Sequence, residues 1–330
     1  MEAGLGEDHE DLSADVVICA YTEDRWRMLC RAVASAQRQT VAPQTIWVCI
    51  DHNQDLYQRC LGEWPESGQD PAGPPVRVIS NRFAGRLGSA RNTAVERVRS
   101  TVIAFLDDDA AAEPTWLETL LRVYAEDLDA VAVGGAPMPD HEGERPGWFP
   151  HEFDWVFGCH YAFLPETRQP VRHLIGANMS VRTSALRAVG GFHSDTHDDM
   201  DLSHRIAAAH GPAAVLYEPA ARVRHVVHPE RLTWNYFWRR CFWINRGKVR
   251  AFADMGAAGN IAAEVEFARR MAGAAGRKLL RGVTGDADAL AQAAAIVGGL
   301  GAGAAGHLRG RVELRTGRLP RSLTVGLEPS

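Results

Sequence analysis

Short apolar runs typical of buried β-strands alternate with segments of helical periodicity in the first third of the chain. The runs are DVVICAY, TIWVCID, PVRVIS and TVIAFLDDD, and the segment from Asp24 to Gln39 repeats apolar residues on one helical face. Strand and helix in this order predict an α/β fold with a mainly parallel, Rossmann-like sheet that helices cover on both faces.

Polar residues follow the ends of three of these predicted strands. They are Tyr21 to Asp24, Asp51 to Asn53 and Asp107 to Asp109. In parallel α/β sheets, ligands bind beyond the carboxyl ends of the strands. The three groups are therefore expected to converge on one crevice, although they lie far apart in sequence.

Composition excludes several classes of protein. A net charge of −5 argues against a nucleic-acid binder, and six scattered cysteines without a CxxC pair argue against a zinc site or a disulfide scaffold. The N-terminal residues lack the apolar region of a secretory signal, so we expect a cytoplasmic protein. No run of 18 strongly apolar residues is present, the nearest candidate being Ala289 to Gly306.

Three adjacent carboxylates, Asp107, Asp108 and Asp109, end the fourth predicted strand. Their mutual repulsion is costly unless a cation offsets it, and Mg²⁺ or Mn²⁺ prefers such oxygen ligands. Strand alternation predicts Asp107 and Asp109 on one side and Asp108 on the other. The alternative is a solvated turn before the helix that Pro114 opens.

A second acidic cluster occupies residues 197–201, with Asp198 and Asp199 at its centre. Carboxylates at a helix start often only cap free N–H groups. The alternative is that one of them removes a proton from an acceptor hydroxyl.

Two further groups carry candidate ligands. In GRLGSARNTAVERV, Arg86 and Arg91 are placed to pair with a diphosphate, although the run matches neither the dinucleotide fingerprint nor the phosphate-loop motif. Near a later strand end, His225 or His228 is a candidate to complete a metal shell with Asp109.

These segments, in this order, resemble the family 2 glycosyltransferases, which have the GT-A fold. The resemblance spans about residues 14–250. It rests on VVICAYTEDR, WVCIDHNQD, GSARNTAV before FLDDDAAAEPTWL, IGANMSVRTSALRAVGGF, DDMDLSHRI and the late His225.

The resemblance implies roles for individual positions. Asp199 matches the catalytic base, with Asp198 beside it, and Asp109, Asp107 and His225 match the metal ligands, with His228 as a fallback. The positions that surround the nucleotide and its diphosphate are Tyr21, Thr22, Glu23, Asp51, Arg86, Arg91, Asn92, Asp107 and Asp108. Those that line the sugar and acceptor site are Gly176, Ala177 and Asn178.

The tryptophans Trp148 and Trp155 are candidates to stack on sugar or acceptor, with simple packing as the alternative. The implied reaction is an inverting transfer from a nucleotide-diphosphate sugar, a UDP-sugar by resemblance, to an acceptor hydroxyl, with Mn²⁺ or Mg²⁺ as cofactor. Two alternatives are a nucleotidyltransferase on a similar sheet and a non-catalytic carbohydrate-binding relative.

The predicted organisation has three parts. Residues 1–13 form a flexible N-terminus, and residues 14–250 form the catalytic domain, with a nucleotide-binding half at 14–135 and an acceptor-side half at 136–250. Residues 134–175 are expected to be irregular. Residues 251–330 form a helical extension, and its basic helix predicts either packing on the catalytic domain or peripheral contact of residues 255–330 with the inner membrane face.

Overall fold

In the computed structural model, residues 12–67, 69–194, 197–254, 261–320 and 326–327 are described. The predicted flexible N-terminus therefore lies almost wholly outside the described residues, as do parts of the predicted C-terminal extension.

The amino-terminal half is built on four parallel strands. They are β1 (Ala14–Ala20), β2 (Ile46–Ile50), β3 (Val76–Ser80) and β4 (Val102–Asp107), with α1 (Trp26–Gln37), α2 (Gln54–Glu63) and α3 (Leu87–Val95) between them. In space the order is β3-β2-β1-β4, and all three pairs are parallel. The predicted α/β fold is confirmed.

The carboxyl-terminal half of the sheet adds antiparallel pairs. It contains β5 (Ala110–Ala112), α4 (Trp116–Glu126), β6 (Ala132–His141), β7 (Gln169–Pro170), β8 (Asn178–Arg182), α5 (Thr183–Ala188), α6 (Asp198–His210) and β9 (Val215–Val227). β8 lies antiparallel between β4 and β6, while β6 runs parallel to β9. The prediction of irregular structure over residues 134–175 is wrong for residues 134–141, because β6 pairs with β9 there despite its prolines and glycines.

Apolar residues of β1 and β4 point alternately into two cores, one on each face of the sheet. Val16 and Ile18 face the core that α1 and α4 cover. Val17 and Phe105 face the core that α3, α5 and α6 cover. Burial on both faces explains why these strands are continuous apolar runs in the sequence.

Three long helices complete the chain: α7 (Trp234–Asp254), α8 (Ile261–Val283) and α9 (Ala287–Arg315). They fold back on the catalytic domain through a third core, in which Phe149 and Phe153 meet Phe237 of α7 and Ile296 of α9. The predicted boundary at residue 250 lies inside α7, which continues to Asp254.

Among the described residues, α9 alone is long and apolar enough to cross a membrane, with a mean hydropathy of 1.4 over an 18-residue window that is 39% buried. The nearest candidate segment in the sequence, Ala289 to Gly306, lies within this helix. Length and composition are weak grounds for a span, because the core helices of soluble proteins pass the same test.

Glycines of α9 allow its backbone to approach α7 closely. A Cβ on Gly306 would lie 2.1 Å from the Phe242 carbonyl oxygen, and one on Gly310 would lie 2.6 Å from the Arg246 carbonyl oxygen. By contrast, a Cβ on Gly301, on the same helix, would meet nothing within 4 Å. The close contact between the two helices therefore depends on particular glycines rather than on the glycine content as a whole.

Substitution of these glycines tests the packing of α9. We expect Gly306→Ala to lower the free energy of unfolding by about 1–3 kcal/mol, because the added methyl forces α9 away from α7. The matched control Gly301→Ala is expected to raise it by about 0.5–1 kcal/mol through helix propensity alone. Chemical denaturation measures both, and equal effects would contradict the packing described.

Candidate active site

The carboxyl ends of the parallel strands lie in register at one edge of the sheet. Cys19 of β1 is opposite Asp107 of β4, and Ala20 is opposite Ile50 of β2. The polar residues that follow these strands therefore share one edge, as the sequence predicted.

Asp107, Asp109 and His225 each offer one ligand atom, and these atoms all lie within 4.8 Å of one another. The antiparallel pairing of β5 with β9 brings them together, since Ala110 lies opposite His225 and the Val226 N–H donates to the Asp109 carbonyl at 2.9 Å. His225 Nε2 is 3.0 Å from Asp109 Oδ1.

His228, the fallback ligand, lies outside this group. Its Nδ1 is 2.6 Å from Glu142 Oε2, at the exposed end of β9. Between the two candidate histidines, only His225 reaches the carboxylates.

Two arginines also contact the acidic turn. Arg25 Nη1 lies 3.0 Å from Asp108 Oδ1 and 3.2 Å from Asp109 Oδ2, and Arg231 lies 3.6 Å from Asp109 Oδ2. The prediction that Asp107 and Asp109 share a side agrees with the ligand group, but the contacts of Arg25 show that Asp108 is not turned away from Asp109. The strand ends at Asp107, and residues 108–109 form a turn to which strand alternation does not apply.

These contacts move the pKa values of Asp108 and Asp109 in opposite directions. Burial alone would raise the pKa of Asp109, but the His225 hydrogen bond, Arg25 and Arg231 lower it. Burial and the Asp109 charge raise the pKa of Asp108 to about 7, against the effect of Arg25. Burial alone would lower the pKa of His225, but its hydrogen bonds to Asp109 and Cys159 raise it well above the usual value. Asp109 is thus the carboxylate of the turn that is held ionised.

Arg91 joins the two acidic clusters through a fully buried guanidinium. Its Nη2 donates to Asp107 Oδ1 at 3.1 Å and to the Gly176 carbonyl at 2.9 Å. Its Nη1 donates to Asp198 Oδ2 at 2.6 Å. Carboxylates more than 90 positions apart in the sequence thus share a single cation.

Asp199 sits beside this cation at the start of α6, held by backbone donors. The N–H groups of Gly176 and Met200 donate to its two carboxylate oxygens at 2.9 and 2.7 Å. Burial raises the pKa of Asp199, and these two N–H groups only partly oppose the rise. A Cβ on Gly176 would lie 3.3 Å from Asp199 Oδ2 and 3.4 Å from Arg91 Nη1, so a larger residue here would press on the Asp199 carboxylate.

On the nucleotide side, Asn81 is a buried residue that the sequence analysis did not identify. Its amide donates to Asp51 Oδ1 at 2.7 Å and to Ser89 Oγ at 2.8 Å, and its oxygen accepts from Thr93. Through these hydrogen bonds, Asn81 connects the carboxyl ends of β2 and β3 to α3. Its place directly after an apolar strand was a signal available in the sequence.

Other predicted nucleotide residues lie at the same edge. The Tyr21 ring is 56% exposed with the Arg25 guanidinium 5.6 Å from its centre, and Thr22 caps the turn that begins at Glu23. Arg86 is exposed at the start of α3. Arg25 itself was missed as a site residue, although it belongs to the AYTEDR run.

Two predicted contact residues are instead committed to the protein interior. Both ends of the Asn92 amide bond the backbone of Phe192, at 2.9 and 2.8 Å. The Asn178 oxygen accepts from Trp116 Nε1 at 2.7 Å, and its nitrogen donates to the Ala221 carbonyl. Because Asn92 and Asn178 are fully buried, the structure does not support ligand contacts by their side chains. Ala177, another predicted residue of the sugar site, is buried beside Gly176.

The two candidate tryptophans differ in their surroundings. Trp148 stacks on Trp234 of α7 with ring centres 3.7 Å apart, as the packing alternative predicts. Trp155 is half-buried against Phe153, and Lys248 lies 6.0 Å from its ring. Its buried Nε1 has no hydrogen-bond partner among the described residues. Trp155 therefore keeps part of its ring exposed, whereas Trp148 packs in the core.

The chemistry of the acidic turn fits a divalent cation. Two carboxylates and one imidazole suit Mn²⁺ or Mg²⁺, with phosphate oxygens to complete the shell. The buried Asp108 Oδ2 has no hydrogen-bond partner among the described residues, which leaves a polar atom beside the three ligands unsatisfied.

Replacement of Arg91 tests how much its guanidinium contributes to the stability of the fold. We expect Arg91→Met to lower the free energy of unfolding by about 3–5 kcal/mol, because Asp107 and Asp198 are left buried without their partner. Adding Asp198→Asn should restore part of the loss, while Arg31→Met, which breaks an exposed ion pair with Asp140, should change stability little. Urea unfolding measures all three, and equal losses for Arg91→Met and Arg31→Met would contradict this role.

Comparison with known proteins shows what the chain is similar to. The model of the family "Glycosyl transferase family 2" matches residues 15–190. The glucosyl-dolichyl phosphate glucuronosyltransferase of Haloferax volcanii is 30% identical over 247 residues, which is 72% of this chain and 76% of that protein. The pre-mycofactocin glycosyltransferase of Mycobacterium tuberculosis is 32% identical over 155 residues, which is 46% of this chain and 32% of that protein.

Among solved structures, GalNAc-T7 with UDP, GalNAc and Mn²⁺ is similar with a TM-score of 0.52 and 16% identity, over 80% of this chain and 55% of that one. This likeness shows the fold alone, and the chain spans about half the length of that protein. With a family match over more than half of its residues and a relative matched over most of its length, this GT-A protein belongs to glycosyl transferase family 2 and is a glycosyltransferase.

Proposed function

We propose that the protein is a metal-dependent, inverting glycosyltransferase that moves a sugar from a UDP-sugar to an acceptor hydroxyl. One observation carries this proposal: the buried Arg91 links the Asp107–Asp109–His225 group to the Asp198–Asp199 pair across Gly176. A site for a cation and diphosphate thus adjoins a candidate base.

The donor would bind at the ends of β1, β2 and β4. Asp51, held by Asn81, and the exposed Tyr21, with Thr22 and Glu23, are placed to surround the nucleoside. Arg86, at the start of α3, supplies positive charge for the diphosphate. GalNAc-T7, which has a similar fold, was crystallised with UDP, and this supports the same nucleotide here.

Asp107, Asp109 and His225 would hold Mn²⁺ or Mg²⁺, which when bound stabilises the charge of a leaving diphosphate. Against the effect of burial, the His225 hydrogen bond, Arg25 and Arg231 lower the pKa of Asp109 and keep its carboxylate ionised. Asp109 therefore offers the ionised carboxylate that a divalent cation requires.

Asp199 is the stronger candidate for the base of the acidic pair. Asp198 is paired with Arg91 at 2.6 Å, whereas the described hydrogen bonds to the Asp199 carboxylate come from backbone N–H groups. Its raised pKa strengthens it as a proton acceptor, since a base works best when its pKa approaches the working pH. A single displacement with one such base inverts the anomeric centre.

On the acceptor side, Gly176, Ala177 and Trp155 are the remaining candidates. The name of the Haloferax relative describes transfer to glucosyl-dolichyl phosphate, which supports a sugar hydroxyl as the acceptor. Trp155, which is half-buried, would offer its ring face to such a sugar.

The proposed metal ligands can be tested by direct binding. We expect isothermal titration of Mn²⁺ to show one site that Asp109→Asn and His225→Ala lose, because each removes a ligand atom. The matched control His228→Ala should bind Mn²⁺ as the unaltered protein does, since His228 contacts Glu142 instead. Chelation should abolish transfer and Mn²⁺ should restore it. Unchanged Mn²⁺ binding by His225→Ala would remove this residue from the site.

The proposed base can be tested by kinetics. We expect Asp199→Asn to lower kcat by about 10²–10⁴-fold, with donor binding by calorimetry unchanged. The control Asp201→Asn, on the same turn of α6, should lower kcat far less, because Asp201 is paired with Arg205.

The pH profile gives a second measurement on the same residue. The base acts only when ionised and burial raises its pKa, so kcat should fall with decreasing pH at a higher pH than an ordinary aspartate would show. Normal kcat in Asp199→Asn would assign the proton transfer to another group.

A further inference from the structure

The outward face of α9 is apolar along most of its length. Leu290, Val297, Leu308 and Val312 are all about half exposed or more, and their spacings of 7, 11 and 4 residues place them on one side of the helix. Residues 289–306 contain no charged side chain. This face extends about 33 Å at the usual rise per residue.

The neighbouring α8 continues this apolar surface at its C-terminal end. Leu280 is 73% exposed and Val283 is 85% exposed, with Leu279 beside them. The buried side of α8 instead carries Met271, Ala274 and Ala275. The bulky aliphatic residues at this end of the helix therefore face outward, the reverse of the usual arrangement on a soluble protein.

Positive charge lies along the same helix. Between Ile261 and Val283 there are four arginines and one lysine against two glutamates, in a chain whose net charge is −5. Arg269, Arg270 and Arg277 line one pocket with Phe163, Gly273 and a single acidic residue, Glu266, which pairs with Arg270. Apolar side chains next to arginines, on an otherwise acidic protein, match the chemistry of an anionic lipid surface.

We propose that the α8–α9 hairpin docks the enzyme on an anionic phospholipid bilayer. The apolar residues would enter the boundary between headgroups and acyl chains, and the arginines would contact lipid phosphates. This inference goes beyond the proposed reaction and depends on neither its donor nor its metal.

Two features favour surface docking over other arrangements. A symmetric dimer through this face would place its arginines near those of a second copy, and like charges repel. A spanning α9 would have to leave α7, whose Phe237 and Trp238 it covers through Gly299 and Gly298. Docking of the intact hairpin keeps these contacts.

The hairpin also adjoins the acceptor side of the catalytic domain. Phe267 of α8 packs edge-on against Tyr161 and Phe163, at 6.4 and 6.1 Å between ring centres. These rings belong to the segment that also carries Trp155. A docked hairpin would thus hold that segment near the lipid surface.

Flotation of the full chain with lipid vesicles tests the proposal. We expect it to float with vesicles of phosphatidylcholine and phosphatidylglycerol, more weakly at high salt, and much less with phosphatidylcholine alone. Leu280→Asp with Val283→Asp should lower the bound fraction, and Arg269→Glu, Arg270→Glu and Arg277→Glu together should lower the partition coefficient more than about tenfold.

Matched control variants distinguish the loss of this surface from a general change in net charge and from a loss of folding. Arg38→Glu, Arg97→Glu and Arg122→Glu together change the net charge equally at exposed positions elsewhere, and Leu128→Asp alters an aliphatic residue that is 77% exposed. These controls should float like the unaltered protein, and circular dichroism should show all variants folded.

Three results would overturn the proposal. They are no flotation with anionic vesicles, equal losses in test and control variants, or light scattering that shows a dimer which Leu280→Asp with Val283→Asp dissociates while vesicles are not bound.

Discussion

The buried guanidinium of Arg91 is the interaction on which the arrangement of the site depends. It lies between Asp107, at the end of β4, and Asp198, at the start of α6, and it also bonds the Gly176 carbonyl. Burial raises the pKa of both carboxyl groups, and the arginine charge opposes that rise. Without this cation, desolvation and repulsion would work against bringing the two clusters to one edge of the sheet.

A second set of basic side chains affects the pKa values of the carboxyl groups in the acidic turn. Arg25 comes from the turn after β1, His225 from β9 and Arg231 from the residues after it, and all three lie near Asp109. The pKa values of Asp108 and Asp109 therefore move in opposite directions although the residues are adjacent. Of the two, Asp109 is therefore the better candidate to bind a cation, while Arg25 contacts both carboxyl groups.

The C-terminal helices serve both the catalytic domain and the surface. One side of α9 packs its glycines against α7 and covers Phe153 and Phe237, which completes the third core. The other side carries exposed aliphatic residues. The sequence predicted this region as helical and left open whether it packs or contacts membrane. The structure shows the packing, and the exposed face is the basis of the docking proposal.

The sequence by itself determined the parallel strands, the polar residues after them and the family, because periodicity and strand-end chemistry are local properties of the chain. It also indicated Asp107, Asp109, Asp198 and Asp199. Only the tertiary structure showed that His225 contacts Asp109 while His228 contacts Glu142, and that Arg25 lies on Asp109, since these contacts depend on how segments far apart in sequence are brought together. The structure likewise showed that the side chains of Asn92 and Asn178 form hydrogen bonds inside the protein, to Phe192 and Trp116. The partner of a buried polar side chain follows from tertiary packing and not from the spacing of residues in the sequence.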